Sequence, residues 1–102
     1  MFDPVFTQEN INVGTSATEL APSGGAADAR THVLIENKGP ETVYYGPDNS
    51  VTAAGANQGS ILDPRQIAVL PLDSNLTVFA ITASGTATVL IQELTCVDVE
   101  NF

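Results

Sequence analysis

A chain of 102 residues has room for one domain, and a domain of that size buries roughly two-thirds of its unfolded surface, enough for one modest core. Twelve Asp and Glu against three Lys and Arg give a net charge of -9, which repels phosphate backbones and anionic lipid heads and argues against nucleic acid or a membrane surface as partner. A single cysteine closes no intrachain disulfide, and neither a run of about 18 apolar residues nor a basic-then-apolar leader is present, so neither membrane insertion nor secretion is expected.

Only 15% of the residues are charged and Trp is absent, so solubility rests on Ser, Thr, Asn and Gln, and a surface so poor in charge suits a protein partly covered by neighbours. The acids are spread from Asp3 to Glu100 without forming a block. They read as general solubilisation and not as a cation-binding surface.

Residues 1–10 hold Phe2, Val5 and Phe6 around Asp3 and Pro4, apolar but too short and Pro-interrupted for an element of their own, and read as an N-terminal arm. Leaving two phenylalanines in water forgoes about 2 kcal/mol each, which favours docking on a neighbouring subunit. Ile11-Asn12-Val13-Gly14-Thr15 alternates, and Ala17-Thr18-Glu19-Leu20 resumes after small residues, giving a first strand bent near Gly14. The Gly-rich stretch from Pro22 to Asp28 is a loop.

The clearest β signal in the first half is the stretch His32 to Asp48. Two β-branched and aromatic runs flank Lys38-Gly39-Pro40-Glu41 and predict a hairpin. Alternation turns Val33 and Ile35 to the core and Arg30, His32, Leu34 and Glu36 to the other face, while Val43 and Tyr45 share a face on the returning strand. After the turn at Gly46 to Ser50 and a short Val51-Thr52 strand, Ala53 to Gly59 has no bulky side chain to anchor it.

Pro64 is tolerated only at a strand start or edge, so Gln66 to Leu70 forms the next strand, stopped by Pro71. Leu76 to Thr82 and Thr86 to Leu94, joined at Ala83-Ser84-Gly85, predict a second hairpin, with Ala87, Val89 and Ile91 inward and Leu90 outward among Thr86, Thr88 and Gln92. Residues 95–102 form an acidic tail in which Val97 and Val99 alternate with Asp98 and Glu100 before Phe102, a pattern able to add a strand to a sheet edge. No segment carries three turns of helical periodicity. The expected fold is all-β, a small antiparallel sandwich of seven to eight strands, jelly-roll-like or barrel-like, over residues 11–94.

Chemistry is sparse. The one histidine, His32, lies mid-strand, no Gly-x-Ser-x-Gly elbow exists, and Cys96 has no basic neighbour, so nucleophilic catalysis is not expected. One Cys and one His cannot supply a zinc site; Asp48, Asn49 and Ser50 are explained by turn formation without calcium, and no cofactor motif is present. Tyr44 and Tyr45 lie on opposite faces and offer a sugar little to stack on, although a carbohydrate-binding module stays open as an alternative. Asn75-Leu76-Thr77 matches the glycosylation pattern, which without a secretion signal is not expected to be used.

The strings Val13-Gly14-Thr15-Ser16-Ala17-Thr18-Glu19-Leu20-Ala21, Val33-Leu34-Ile35-Glu36-Asn37-Lys38-Gly39 and Thr42-Val43-Tyr44-Tyr45-Gly46-Pro47-Asp48, continued by Val51-Thr52-Ala53-Ala54-Gly55 and Ala80 to Val89, resemble a small β-domain of tailed-bacteriophage virions. The chain looks like capsid decoration, or cement, proteins over residues 11–94. That resemblance implies a virion-structural role without enzyme activity. It departs at one turn: the family tends to have Pro-Gly before the fifth strand, where this chain has Pro64-Arg65.

On this basis the expected function is to bind the outside of a phage head as a homotrimer, against the major capsid protein, after synthesis in the host cytoplasm. Phe2, Val5 and Phe6 are the expected anchors, Val97, Val99 and Phe102 a second attachment, and Leu34 and Leu90 contacts within the trimer. A tail, connector or fibre-tip module is the alternative within a virion.

Overall fold

The computed structural model describes residues 6–21, 31–72 and 75–94. It holds eight strands: β1 Phe6–Val13, β2 Thr18–Glu19, β3 His32–Pro40, β4 Val43–Gly46, β5 Ser60–Leu62, β6 Ile67–Leu70, β7 Phe79–Thr82 and β8 Ala87–Leu94. One sheet has the order β1-β8-β3-β6 and the other β2-β7-β4-β5, with every pairing antiparallel. Each odd-numbered strand lies in the opposite sheet from its successor. Two four-stranded sheets wound in this order form a jelly roll.

Alternation within the strands builds the core. Val13, Val33, Ile35, Val89 and Ile91 from the first sheet meet Val43, Leu62 and Ala80 from the second, and Leu20 and Val78, outside the strands, join the same cluster. The inward placement of Val33, Ile35, Ala87, Val89 and Ile91 follows the two-residue period, as expected.

Neither expected hairpin forms. β3 pairs with β6 and β8, and β4 with β5 and β7; the connector at Gly39–Pro40, a cis peptide, carries the chain from one sheet to the other. β7 and β8 are separated in the same way, although Gly85 takes the positive φ its turn position suggests, at 69°. The physical reason is that a strand turning a corner between sheets keeps its apolar side chains inward on both sides of the turn, as a hairpin does. Burial pattern alone does not separate the two.

The bend expected near Gly14 is also a change of sheet, since β1 and β2 belong to different layers and Gly14 O accepts from Thr82 N–H at 2.9 Å. β1 begins at Phe6, so residues 6–10, read from sequence as part of an arm, are paired along β8 from Leu94 to Leu90. β7 starts at Phe79, three residues later than its apolar run.

The four odd-to-even crossings share one end of the sandwich. Gly39 lies against Pro64 and Gly85 against Glu41, and Thr42 Oγ1 donates to Asp63 Oδ1 at 3.1 Å. Asn37, fully buried, holds this end together: its amide nitrogen donates to Glu41 O and Leu62 O, each at 2.8 Å, and its Oδ1 accepts from Gly39 N–H at 2.7 Å. One side chain thereby ties both sheets at the corner.

At the Pro64-Arg65 turn, Gln66 N–H donates to Asp63 O at 2.9 Å and Arg65 has φ 74°. Proline at the second position and positive φ at the third are the geometry of a type II turn. Arg65 occupies the place of the glycine in the Pro-Gly pattern, so the turn is kept with a residue that pays strain for it.

Candidate interaction surface

Because the crossings occupy one end, the β4–β5 connector, the start of β1 and the end of β8 lie at the other. Phe6 opens β1 opposite Leu94, which closes β8, and His32 lies beside Leu94 in register. Residues 1–5 and 95–102, with their expected contacts Phe2, Val5, Val97, Val99 and Phe102, lie outside the described residues, but the backbone places their points of departure side by side. Phe6 itself is a strand residue by its pairing.

At this end the sheets part to leave a cavity of about 510 Å³. Its floor is Tyr45, Val51, Leu70, Leu72 and Val78, and Gln58 and Thr77 stand among the uncharged polar residues of its wall. Among the described residues lining it, none is charged. Tyr45 therefore turns to the sandwich interior and the cavity, while Tyr44 lies on the opposite face.

In the connector from β4 to β5, Val51 is buried ahead of the small-residue stretch Ala53 to Gly59, and in place of the short strand expected at Val51-Thr52 there is a single bridge from Thr52 to Gln58. A Cβ at Gly59 would come within 2.5 Å of Tyr45 O and 2.6 Å of Val51 Cγ2, so the loop closes over the valine only because that position has no side chain. Thr52 N–H to Asn57 O and Gly59 N–H to Thr52 O, both 3.0 Å, fasten the rest. Asp48 closes the first turn through its own carboxylate, accepting from Ser50 N–H at 2.9 Å and Ser50 Oγ at 2.5 Å. Those two bonds hold its pKa below the ordinary value of 3.8.

The outer faces of both sheets carry apolar rows. On the second sheet Ile81, Tyr44 and Ile61 stand in register across three strands, with Phe79 beside Glu19. On the first sheet Leu34 stands opposite Val69, and Leu90 and Ile67 flank Glu36. Leu34 and Leu90 are thus diagonal neighbours on one face, as a shared contact requires. Leu34 is half-buried, whereas Leu90 is only 7% exposed and offers little free area of its own.

The greater free apolar area was not singled out in the sequence. Among the described residues, Ile61 and Ile67 are each 56% exposed, Val69 55% and Leu76 50%. Three of these lie on β5 and β6, the two edge strands that border the open side of the sandwich. The signal available in sequence was the uncharged run Ile67 to Leu70, which reads equally well as a buried central strand.

His32 pairs its Nδ1 with Thr31 Oγ1 at 2.9 Å on the outer face, and Cys96 lies outside the described residues. No group of three metal-ligating side chains occurs among the described residues. Among the described residues no helix is long and apolar enough to cross a membrane. Comparison with protein-family models, with curated proteins and with solved structures returned no match to this chain.

Proposed function

We propose that this chain is a structural protein of a tailed-phage particle, a decoration protein that binds the outside of the head and staples neighbouring copies of the major capsid protein. It acts by adhesion, without catalysis or cofactor. The observation that carries the reading is the segregation of the molecule: a tightly tied corner end, and an opposite end where β1 begins, β8 ends and an uncharged cavity opens between the sheets. The sequence resemblance to cement proteins supplies the particle. The apolar rows on the outer faces and the scarcity of charge support a molecule that spends its working life against neighbours.

In this role residues 1–5 attach to the capsid subunits beneath, and residues 95–102 make the second attachment, to a neighbouring copy. Packaged DNA pushes those subunits apart, and a bridge contacting several at once raises the free energy of separating them through mass action and avidity. The net charge of -9 suits a position outside the shell, away from the genome. Homotrimerisation, with Leu34 and its surroundings as the contact, belongs to the same proposal.

The test is binding of the purified chain to heads that lack it, followed by sedimentation. Phe2→Ser with Val5→Ser is expected to leave the fold unchanged by circular dichroism and to abolish binding. Wild-type affinity in that variant removes the arm from the mechanism. Glycan binding is a second reading, favoured by Tyr45 in an uncharged cavity with amides and hydroxyls on its wall; glycan-array binding lost in Tyr45→Ala would establish it in place of adhesion.

A further inference from the structure

The edge strand β6 has the features of a strand acceptor. Among the described residues it forms one border of its sheet and pairs with β3 on one side only. Its four residues, Ile-Ala-Val-Leu, contain neither the charge nor the proline by which edges are commonly blunted. Asn37 N–H donates to Gln66 O at 3.0 Å and Arg65 N–H to Asn37 O at 2.6 Å. From that bonded pair, alternation along an antiparallel ladder gives the next bonded positions to Ala68 and Leu70, opposite Ile35 and Val33. The N–H and C=O groups of Ile67 and Val69 therefore point off the free edge, and their side chains are more than half exposed.

Charge marks one end of this edge. Of the chain's three Lys and Arg, Arg65 leads into β6, and Lys38 adjoins Asn37, which bonds Gln66. Both are exposed. Asp63, the acid of the same turn, accepts from Thr42 at 3.1 Å, and Glu36 lies on the outer face opposite Ile67. The other end of β6 reaches the cavity at Leu70 and Leu72.

We infer that the free edge of β6 takes residues 97–102 of a second copy of this chain as an added antiparallel strand. Val97 and Val99 then lie beside Leu70 and Ala68, on the cavity side, and Glu100 reaches Ile67, next to Arg65 and Lys38. Asp98 and Glu100 supply the backbone groups that meet Val69 and Ile67. In this register the acidic-apolar alternation of the tail matches an apolar edge with a basic end.

A tail folding back on its own body is disfavoured by reach. From Leu94 the far side of β6 is three strand spacings away, about 14 Å, which consumes about four residues of extended chain. Val97 would be spent on the crossing. The inference rests on β6 and the tail alone, and stands whether or not the chain belongs to a phage particle.

Sedimentation velocity of the full chain over a range of concentrations tests it. Self-association that weakens with added salt is expected. Lys38→Glu with Arg65→Glu is expected to weaken it by about tenfold. Val69→Pro, which removes an off-edge N–H but no bond to β3, is expected to abolish it. A chain that stays monomeric, or an oligomer moved by neither variant, overturns the surface. The occupant is tested with Pro71→Cys, since residue 96 faces residue 71 in this register and Cys96 is the chain's own single cysteine. Mild oxidation is expected to give a dimer linked between positions 71 and 96, absent from the wild-type chain. A monomer that loses both thiols shows the tail on its own body, and no 71–96 link excludes the tail; either result overturns the inference.

Discussion

Asn37 shows how much one polar side chain can decide in a small core. Its amide satisfies two carbonyls and one N–H at a place where β3, β5 and the connector to β4 converge, and all three partners lose a bond if it is cut back. Asn37→Ala is expected to cost about 2–4 kcal/mol in urea unfolding, because buried groups are left unpaired; a loss under about 1 kcal/mol would show that water replaces the amide. At Arg65 the sign reverses. Its φ of 74° carries strain that glycine escapes, so Arg65→Gly is expected to stabilise by about 0.5–1 kcal/mol after the greater unfolded entropy of glycine is counted. Asp48 sets a pH dependence. Its folded pKa is depressed by the two Ser50 bonds, so its contribution is complete above the unfolded value and is lost as pH falls through the folded one. A carbon-13 titration of the Asp48 carboxyl is expected to have its midpoint below 3.8, and one at or above that value contradicts the closed turn.

At the scale of elements, the strands were legible and their partners were not. Val33, Ile35, Val89 and Ile91 sit where period-two alternation puts them, because one buried face is enough to fix the parity of a strand. Pairing depends on which sheet a turn leads into. At Gly39–Pro40 that is decided by Asn37 reaching back across the corner, a long-range bond with no local signature. The surface was read similarly: Leu34 stood out by its oddness on a charged face, while Ile67 and Val69, in a run without charge, showed no preferred face until β6 was seen to be an edge. Hydrogen exchange separates the two topologies. In the jelly roll β8 is bonded on both sides, by β1 and β3, so at concentrations where the chain is monomeric its amides are expected to be the slowest and those of Ile67 and Val69 among the fastest. Equal exchange of β8 and β6 would contradict the strand order.

For the whole molecule, the arrangement separates holding from reaching. The corner end is closed by four crossings and a buried amide, and the opposite end carries the cavity and both points where the chain leaves the sandwich. In the proposed role such a body would work as a rivet, with its attachments at the extremities and along the apolar rows of the sheets. Few charges and an acidic balance are consistent with such a part. The most direct measurement is electron cryo-microscopy of heads reconstituted with the purified chain. Density for it at many sites over the outer shell, with the end bearing Phe6 and Leu94 turned to the capsid, is the predicted result. Density confined to a single vertex or to the tail, or heads left bare, would contradict the decoration role.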